Sequence, residues 1–210
     1  MSTAARVNQF AAGAVCWASR QLQKRVPYRE SNFFLEGQFA PVEQVRTETQ
    51  LAVSGVILPE LNGLYARIGP NPIQVRNPAL YHWFLGDGMV HGLRLREGQA
   101  LEYRNRWIGT STASRMLGRP PSGHVKLGPI DVVNTNVLAH AGRIWALVES
   151  GPMPAELDGG LTTRGGSLFN SPVARCYSAH PHRDPDTGAL PAVCYDGLSR
   201  RVHHLVVDAA

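Results

Sequence analysis

The residues best suited to chemistry lie in one stretch, Ser178-Ala179-His180-Pro181-His182-Arg183-Asp184-Pro185-Asp186-Thr187-Gly188. His180 precedes a proline, and the residue before a proline is pushed to extended backbone. Its imidazole is therefore expected to project from a fixed strand end. Asp184 to Gly188 reads as a hairpin turn, with Asp side chains bonding nearby backbone and Gly supplying positive φ. A histidine on a rigid mount makes a good metal ligand, because little is left to order on binding. The same residues also fit a buried structural histidine in a turn, and taken bare they favour that plainer reading.

A second candidate is Glu149, at the end of an apolar strand and on the face of Trp145 and Leu147. A buried carboxylate is costly unless it is paired or hydrogen-bonded. An exposed strand-end Glu fits the bare residues slightly better. The other histidines offer less. His82 and His91 alternate like packing positions, and His124 and His140 fall in loops or turns with no partner in view. His203 and His204 point to opposite faces of a strand and cannot share one metal. Gly86-Asp87-Gly88 is a tight turn with no phosphate signature. Asp184-x-Asp186-x-Gly188 lacks the further ligands of a calcium loop. No Gly-x-Ser-x-Gly, P-loop or Cys-x-x-Cys is present.

The elements that must position these residues are strands. From Leu51 onward, short runs alternate with Gly, Pro, Asn and Asp at the spacing of an all-β sandwich, barrel or propeller. One hairpin runs Met89–Arg96, turn Glu97-Gly98, Gln99–Trp107. His91, Leu93 and Leu95 share a face of its first strand; Leu101, Tyr103 and Trp107 share a face of the second. Arg94, Arg96, Glu102, Arg104 and Arg106 lie opposite, the pattern of a half-exposed sheet with cross-strand charge pairs. A second hairpin runs Asp131–His140, turn Ala141-Gly142, Arg143–Glu149. Its strand Ile144–Val148 is apolar on both faces and is expected to be central. Strands are also expected at Val173–Ala179, Ala192–Tyr195 and Val202–Val207, with another Gly-punctuated segment at Leu161–Phe169. Ser111–Gly128 reads as a long excursion or lid-like loop. Residues 1–31 form an N-terminal arm, helical or extended, with Val7, Phe10, Val15 and Leu22 on a loose apolar face followed by Arg20, Lys24 and Arg25. A basic amphipathic helix of that kind can contact a membrane surface peripherally.

Composition bounds the class. A hydrophobic content of 43% with 8% aromatic residues supports a real core. The net charge of +5 is diffuse, without the basic patch of a nucleic-acid binder. No stretch is long and apolar enough to span a bilayer as a helix. The short apolar run Phe10–Ala18 has a thin basic flank and is interrupted at Gly13 and Trp17, unlike a signal peptide. Cys16, Cys176 and Cys194 are odd in number and lack zinc spacing, which suits reduced thiols in a cytoplasmic protein.

Taken whole, Ala179-His180-Pro181 with Asp184-Pro185-Asp186-Thr187-Gly188 resembles the first iron-ligand segment of the carotenoid cleavage oxygenases, a family that includes the lignostilbene-cleaving enzymes. Three upstream segments resemble the same family in the same order: Asn62 to Pro72 (NGLYARIGPNP), Tyr81 to His91 (YHWFLGDGMVH), and Ala146-Leu147-Val148-Glu149. The resemblance runs from about Asn32 to the last residue. Position 182 is His where the family commonly has Lys. The resemblance implies a seven-bladed β-propeller with iron(II) on its axis, held by four histidines from different blades. It makes His180 a metal ligand, with Glu149 accepting a hydrogen bond from a ligand ring without touching the metal. It implies oxidative cleavage, by dioxygen, of a double bond in a carotenoid, apocarotenoid or stilbene, to two carbonyl products. A propeller blade takes roughly 40–50 residues, so residues 32–210 are expected to be the first half of such a domain, truncated and inactive alone. The alternatives are a family member that isomerises rather than cleaves, and a non-catalytic propeller fragment for binding or packing; iron content separates the last from an enzyme.

Overall fold

The computed structural model describes residues 17–124, 131–149, 151–166, 169, 177–196 and 201–209. The first sixteen residues of the expected arm, most of the strand expected at Val173–Ala179, and Cys16 and Cys176 lie outside the described residues. Residues 17–23 are helical, and an extended arm follows.

The rest is almost all β, in three antiparallel groups. Strands β1 (Thr47–Glu48), β2 (Gly63–Pro70), β3 (Gly88–Arg96) and β4 (Gln99–Trp107) form a sheet in the order β1-β4-β3-β2. Strands β5 (Asn136–His140), β6 (Arg143–Leu147), β7 (Ala155–Leu157) and β8 (Thr163–Gly166) follow as a meander in sequence order. Strands β9 (Leu190–Asp196) and β10 (Arg201–Val207) pair as a hairpin. Both tight hairpin turns fall where the sequence puts them. Glu97 and Gly98 have φ of 48° and 77°, and Ala141 and Gly142 have 49° and 69°. Two consecutive positive φ values make the type I′ turn, whose twist matches that of paired strands.

Strand β6 is central, as expected, and both its faces are covered. Ala146 and Val148 pack with Val90, Ile108, Val133 and Leu161 between the first and second sheets. Trp145 and Leu147 point the other way, to Tyr177, Ala192, Leu205 and Val207. One strand thus serves two cores, and the three sheets stack in sequence order through it. The first sheet approaches closely at Gly88, where a Cβ would lie 1.7 Å from the Val133 carbonyl oxygen, so only glycine fits.

The first sheet corrects one expectation. Instead of one covered and one exposed face, both faces are covered in part: the Leu93–Tyr103 face is buried at one end, where Met89, Asn105 and Trp107 lie, and open at the other, where Tyr65 is 62% exposed. The opposite face carries Leu64, Ile68 and Val90, and also Arg94, Glu102 and Arg104. The charges are accommodated beside the apolar cluster because each has a polar partner. Arg94 donates to the Gly159 carbonyl at 3.0 Å, and Glu102 pairs with Arg104 along its own strand rather than across it. Alternation gives two faces but not which of them meets a neighbour.

The excursion after β4 holds a short helix, α1 (Ser111–Met116), capped by the Thr110 hydroxyl, which accepts from Ala113 N. The N-terminal arm is held by asparagines: Asn32 donates to the carbonyls of Pro78 and Tyr81, and Asn77 to those of Val26 and Pro27. Among the described residues no helix is long and apolar enough to cross a membrane.

Candidate functional site

The site is built where residues 177–180 cross one end of the second sheet. Asn136 opens β5 opposite Leu147, and Glu149 lies two residues beyond Leu147. The strand expected to run to Glu149 ends at Leu147, and Glu149 stands in the turn beyond it, where its carboxylate reaches Ala179 N. Tyr177 and Ala179 are buried there, at 1% and 0% exposure. Burial pushes the Tyr177 phenol up to about 12, with the nearby Cys194 thiol adding to the shift.

Glu149 lies at the surface, yet its carboxylate is used. Oε2 accepts from Ala179 N at 2.9 Å and, more weakly, from Ser178 Oγ at 3.4 Å. Ser178 Oγ in turn accepts from His180 N at 3.1 Å. On the other side, Asn136 Nδ2 donates to the Ala179 carbonyl at 2.7 Å. The backbone around Ala179 is thereby held from both sides. Among the described residues no histidine ring donates to Glu149; it touches the chain leading to His180.

His180 itself is exposed, and among the described residues neither of its ring nitrogens has a hydrogen-bond partner. The plainer expectation of a buried structural histidine therefore does not describe it. Downstream, the turn is as read: Asp184 Oδ1 accepts from Asp186 N and Thr187 N, and these bonds hold its carboxyl below the usual carboxylate range. Arg183 ties the turn to the β5–β6 corner through the Ala139 carbonyl at 2.6 Å.

The remaining histidines have structural occupations. His82 Nδ1 accepts from Phe84 N, and its ring lies against Phe34. His91 Nδ1 is 2.8 Å from the Tyr103 hydroxyl, and burial, with Arg67 nearby, lowers its pKa. His124 and His140, with no partner in view from the sequence, find theirs far along the chain. His124 is buried, with Nε2 2.8 Å from the Met153 carbonyl, and Nδ1 3.8 Å from Asp131. A carbonyl only accepts, so Nε2 carries the proton. His140 Nε2 binds the Asp208 carbonyl at 2.6 Å, which fastens β10 to the second sheet. Asp87, in the Gly86-Asp87-Gly88 turn, accepts from Ile73 N, and burial raises its pKa. The motif segments at 62–72 and 81–91 build the first sheet and its junction with the second.

These contacts can be set beside known proteins. A family model described as Retinal pigment epithelial membrane protein matches residues 39–210. A "Carotenoid cleavage oxygenase" of Mycobacterium tuberculosis is 48% identical over 180 residues, covering 84% of this chain and 36% of that protein. The chain belongs to the carotenoid cleavage oxygenase family. It spans about a third of the length of that curated relative. The fold is similar to part of a lignostilbene dioxygenase of Pseudomonas brassicacearum, with a TM-score of 0.69 at 24% identity over 88% of this chain and 41% of that one. A cobalt-substituted apocarotenoid oxygenase of Synechocystis aligns with a TM-score of 0.59 at 22% identity, over 80% of this chain and 43% of that one. Cobalt substitution marks that protein as a metal protein.

Within this carotenoid oxygenase family chain, no group of three or more His, Cys, Asp or Glu among the described residues converges on a metal position. The donor set fits a metal in one respect only: His180 offers an unengaged imidazole on a fixed backbone. Asn136 and Ser178 were missed from the sequence. The only signal was Asn134-Thr135-Asn136, two asparagines ahead of an apolar strand, which does not say what they bond.

Proposed function

We propose that this chain contributes His180 as one ligand of a non-haem iron(II) site, with Glu149 as a positioning carboxylate. The enzyme is a dioxygenase that cleaves a carbon–carbon double bond of a carotenoid, apocarotenoid or stilbene. The overall reaction balances without a further reductant: the double bond breaks, and each carbon takes one oxygen atom of dioxygen as a carbonyl. Bound iron(II) supplies the redox chemistry that lets dioxygen react with an alkene. The chain's own residues fix one ligand and exclude water behind it, since Tyr177, Ala179 and Leu147 are buried at its base.

The observation that carries this reading is the presentation of His180. It combines an exposed ring, free at both nitrogens, with a backbone pinned through Glu149, Ser178 and Asn136. A structural histidine is spent on hydrogen bonds, as His124 and His140 are. The carotenoid and lignostilbene names of the relatives support an apolar, conjugated substrate.

Two further parts belong to the same proposal. The chain forms part of a seven-bladed propeller whose other blades bring the remaining ligands. This is supported by apolar side chains left open at both ends of the stack, Tyr65 on the first sheet and Val193, Tyr195, Val202 and Val206 on the last. The protein is cytoplasmic, with peripheral membrane contact through the arm, where exposed Trp17 and Leu22 stand beside Arg20, Lys24 and Arg25.

The test is His180→Ala in the full-length protein. Loss of most bound iron by metal analysis, together with loss of the two carbonyl products from an apocarotenoid or stilbene, is expected. Full iron occupancy in the folded variant would remove His180 from the ligand set.

A further inference from the structure

The hydrogen bonds around Ala179 do more than anchor a loop. A ligand's aim depends on the direction of its Cα–Cβ bond, and that depends on the peptide plane before it and the torsion after it. The peptide joining Ala179 to His180 is planar, so holding both its polar ends fixes its orientation. Its carbonyl oxygen receives Asn136 Nδ2 at 2.7 Å, and its N–H donates to Ser178 Oγ at 3.1 Å. Ser178 is itself held by the Glu149 carboxylate, which also takes the N–H of Ala179 at 2.9 Å. The torsion after His180 is restricted by Pro181. Three side chains and one ring thus fix a single residue.

We propose that Asn136 is a positioning residue for the metal site, acting through the Ala179–His180 peptide in concert with Glu149. The proposal rests on the reading of His180 as a metal ligand. It also gives Glu149 a contact with the backbone that carries the ligand, through Ala179 N and Ser178 Oγ.

Asn136 suits this task by chemistry and by place. It opens β5, whose partner β6 is covered on both faces, so its Cα sits on a well-braced part of the sheet. The carboxamide supplies the donor that a carbonyl requires. Aspartate has the same shape but no donor when ionised, and its charge would repel the Ala179 oxygen. The second sheet thereby acts as the jig that sets the imidazole, and Asn136 and Glu149 are its two jaws.

The experiment uses the full-length protein with Asn136→Asp, read by iron(II) affinity against a chelator and by the visible absorption of the cobalt(II)-loaded form. Affinity should fall about 10–100-fold, the usual range when a ligand's supporting hydrogen bond is lost, and the cobalt(II) bands should shift. A merely structural role would lower the melting temperature and leave the bands of the bound metal where they were. Added to His180→Ala, Asn136→Asp should produce no further loss of cobalt(II) affinity, because two residues acting through one contact are not additive. Wild-type affinity and bands in folded Asn136→Asp would overturn the proposal, as would an equal loss in the His180→Ala background. If Asn136→Asp does not fold, Glu149→Gln tests the same grip: it weakens a charge-assisted bond to Ala179 N and should move the bands in the same way, and unchanged bands there would equally overturn the proposal. Full metal binding in His180→Ala is a different result, which sinks the ligand reading itself.

Discussion

At the scale of single residues, the chain separates histidines by what their nitrogens do. His91, His124 and His140 are engaged with a hydroxyl, a carbonyl, or both a carbonyl and an arginine. His180 keeps its ring free and spends its backbone instead. His91 carries a test of pH dependence. Burial and then the Arg67 charge disfavour its protonated form, so its folded pKa lies below the ordinary value of 6.5. The unfolded chain therefore binds more protons in that window, and stability rises with pH there. The contribution is fully present above about 6.5 and is lost as pH falls from there through the lower folded pKa. Melting curves from pH 8 to pH 5 should show a larger drop for the wild type than for His91→Gln, which retains a partner for Tyr103 and cannot titrate. Parallel curves would mean that His91 is not the group responsible.

At the scale of elements, turn chemistry is locally written and facing is not. The β3–β4 and β5–β6 corners each fall on a two-residue loop ending in glycine, as Glu97-Gly98 and Ala141-Gly142 predict. Ala141 sits at φ 49°, where a residue other than Gly, Asn or Asp is strained. Ala141→Asn should therefore stabilise the hairpin, by about 0.5–1 kcal/mol, since Asn-Gly is the favoured type I′ pair. Chemical denaturation reads this directly, and a lower midpoint would show that the turn is held by contacts beyond its own backbone. The first sheet teaches the opposite lesson. Leu93, Tyr103 and Trp107 read as one stripe, yet only its Trp107 end is buried, while the Val90 and Ile68 face, charges included, meets the second sheet.

At the scale of the whole molecule, three sheets stack through two apolar layers and leave both ends open. On the β9–β10 hairpin, Val193, Tyr195, Val202 and Val206 are 57%, 50%, 72% and 55% exposed on a single face. Side chains of this kind gain about 1.5–3 kcal/mol each when fully buried, and exposed strand edges invite association. Residues 1–210 expressed alone should therefore be oligomeric or insoluble and should hold no stoichiometric iron, since one imidazole does not retain it. Sizing chromatography and metal analysis decide this. Val202→Lys with Val206→Lys should shift the chain toward smaller species. A monomer of the unaltered chain carrying one iron and cleaving a polyene would defeat both the partial-ring reading and the four-histidine site.

The sequence by itself determined the family, the two tight hairpins, the central place of β6 and the candidacy of His180. Each of these is carried by neighbours in the chain: a proline after a histidine, a glycine at a turn, an apolar run without alternation. It did not determine that both faces of the first sheet are partly covered, that His124 and His140 are spent on carbonyls far along the chain, or that Asn136 and Glu149 meet at Ala179. Those depend on contacts between residues 29 to 68 positions apart. An asparagine's type says that it can donate and accept, and only the packing of one sheet on the next says to whom.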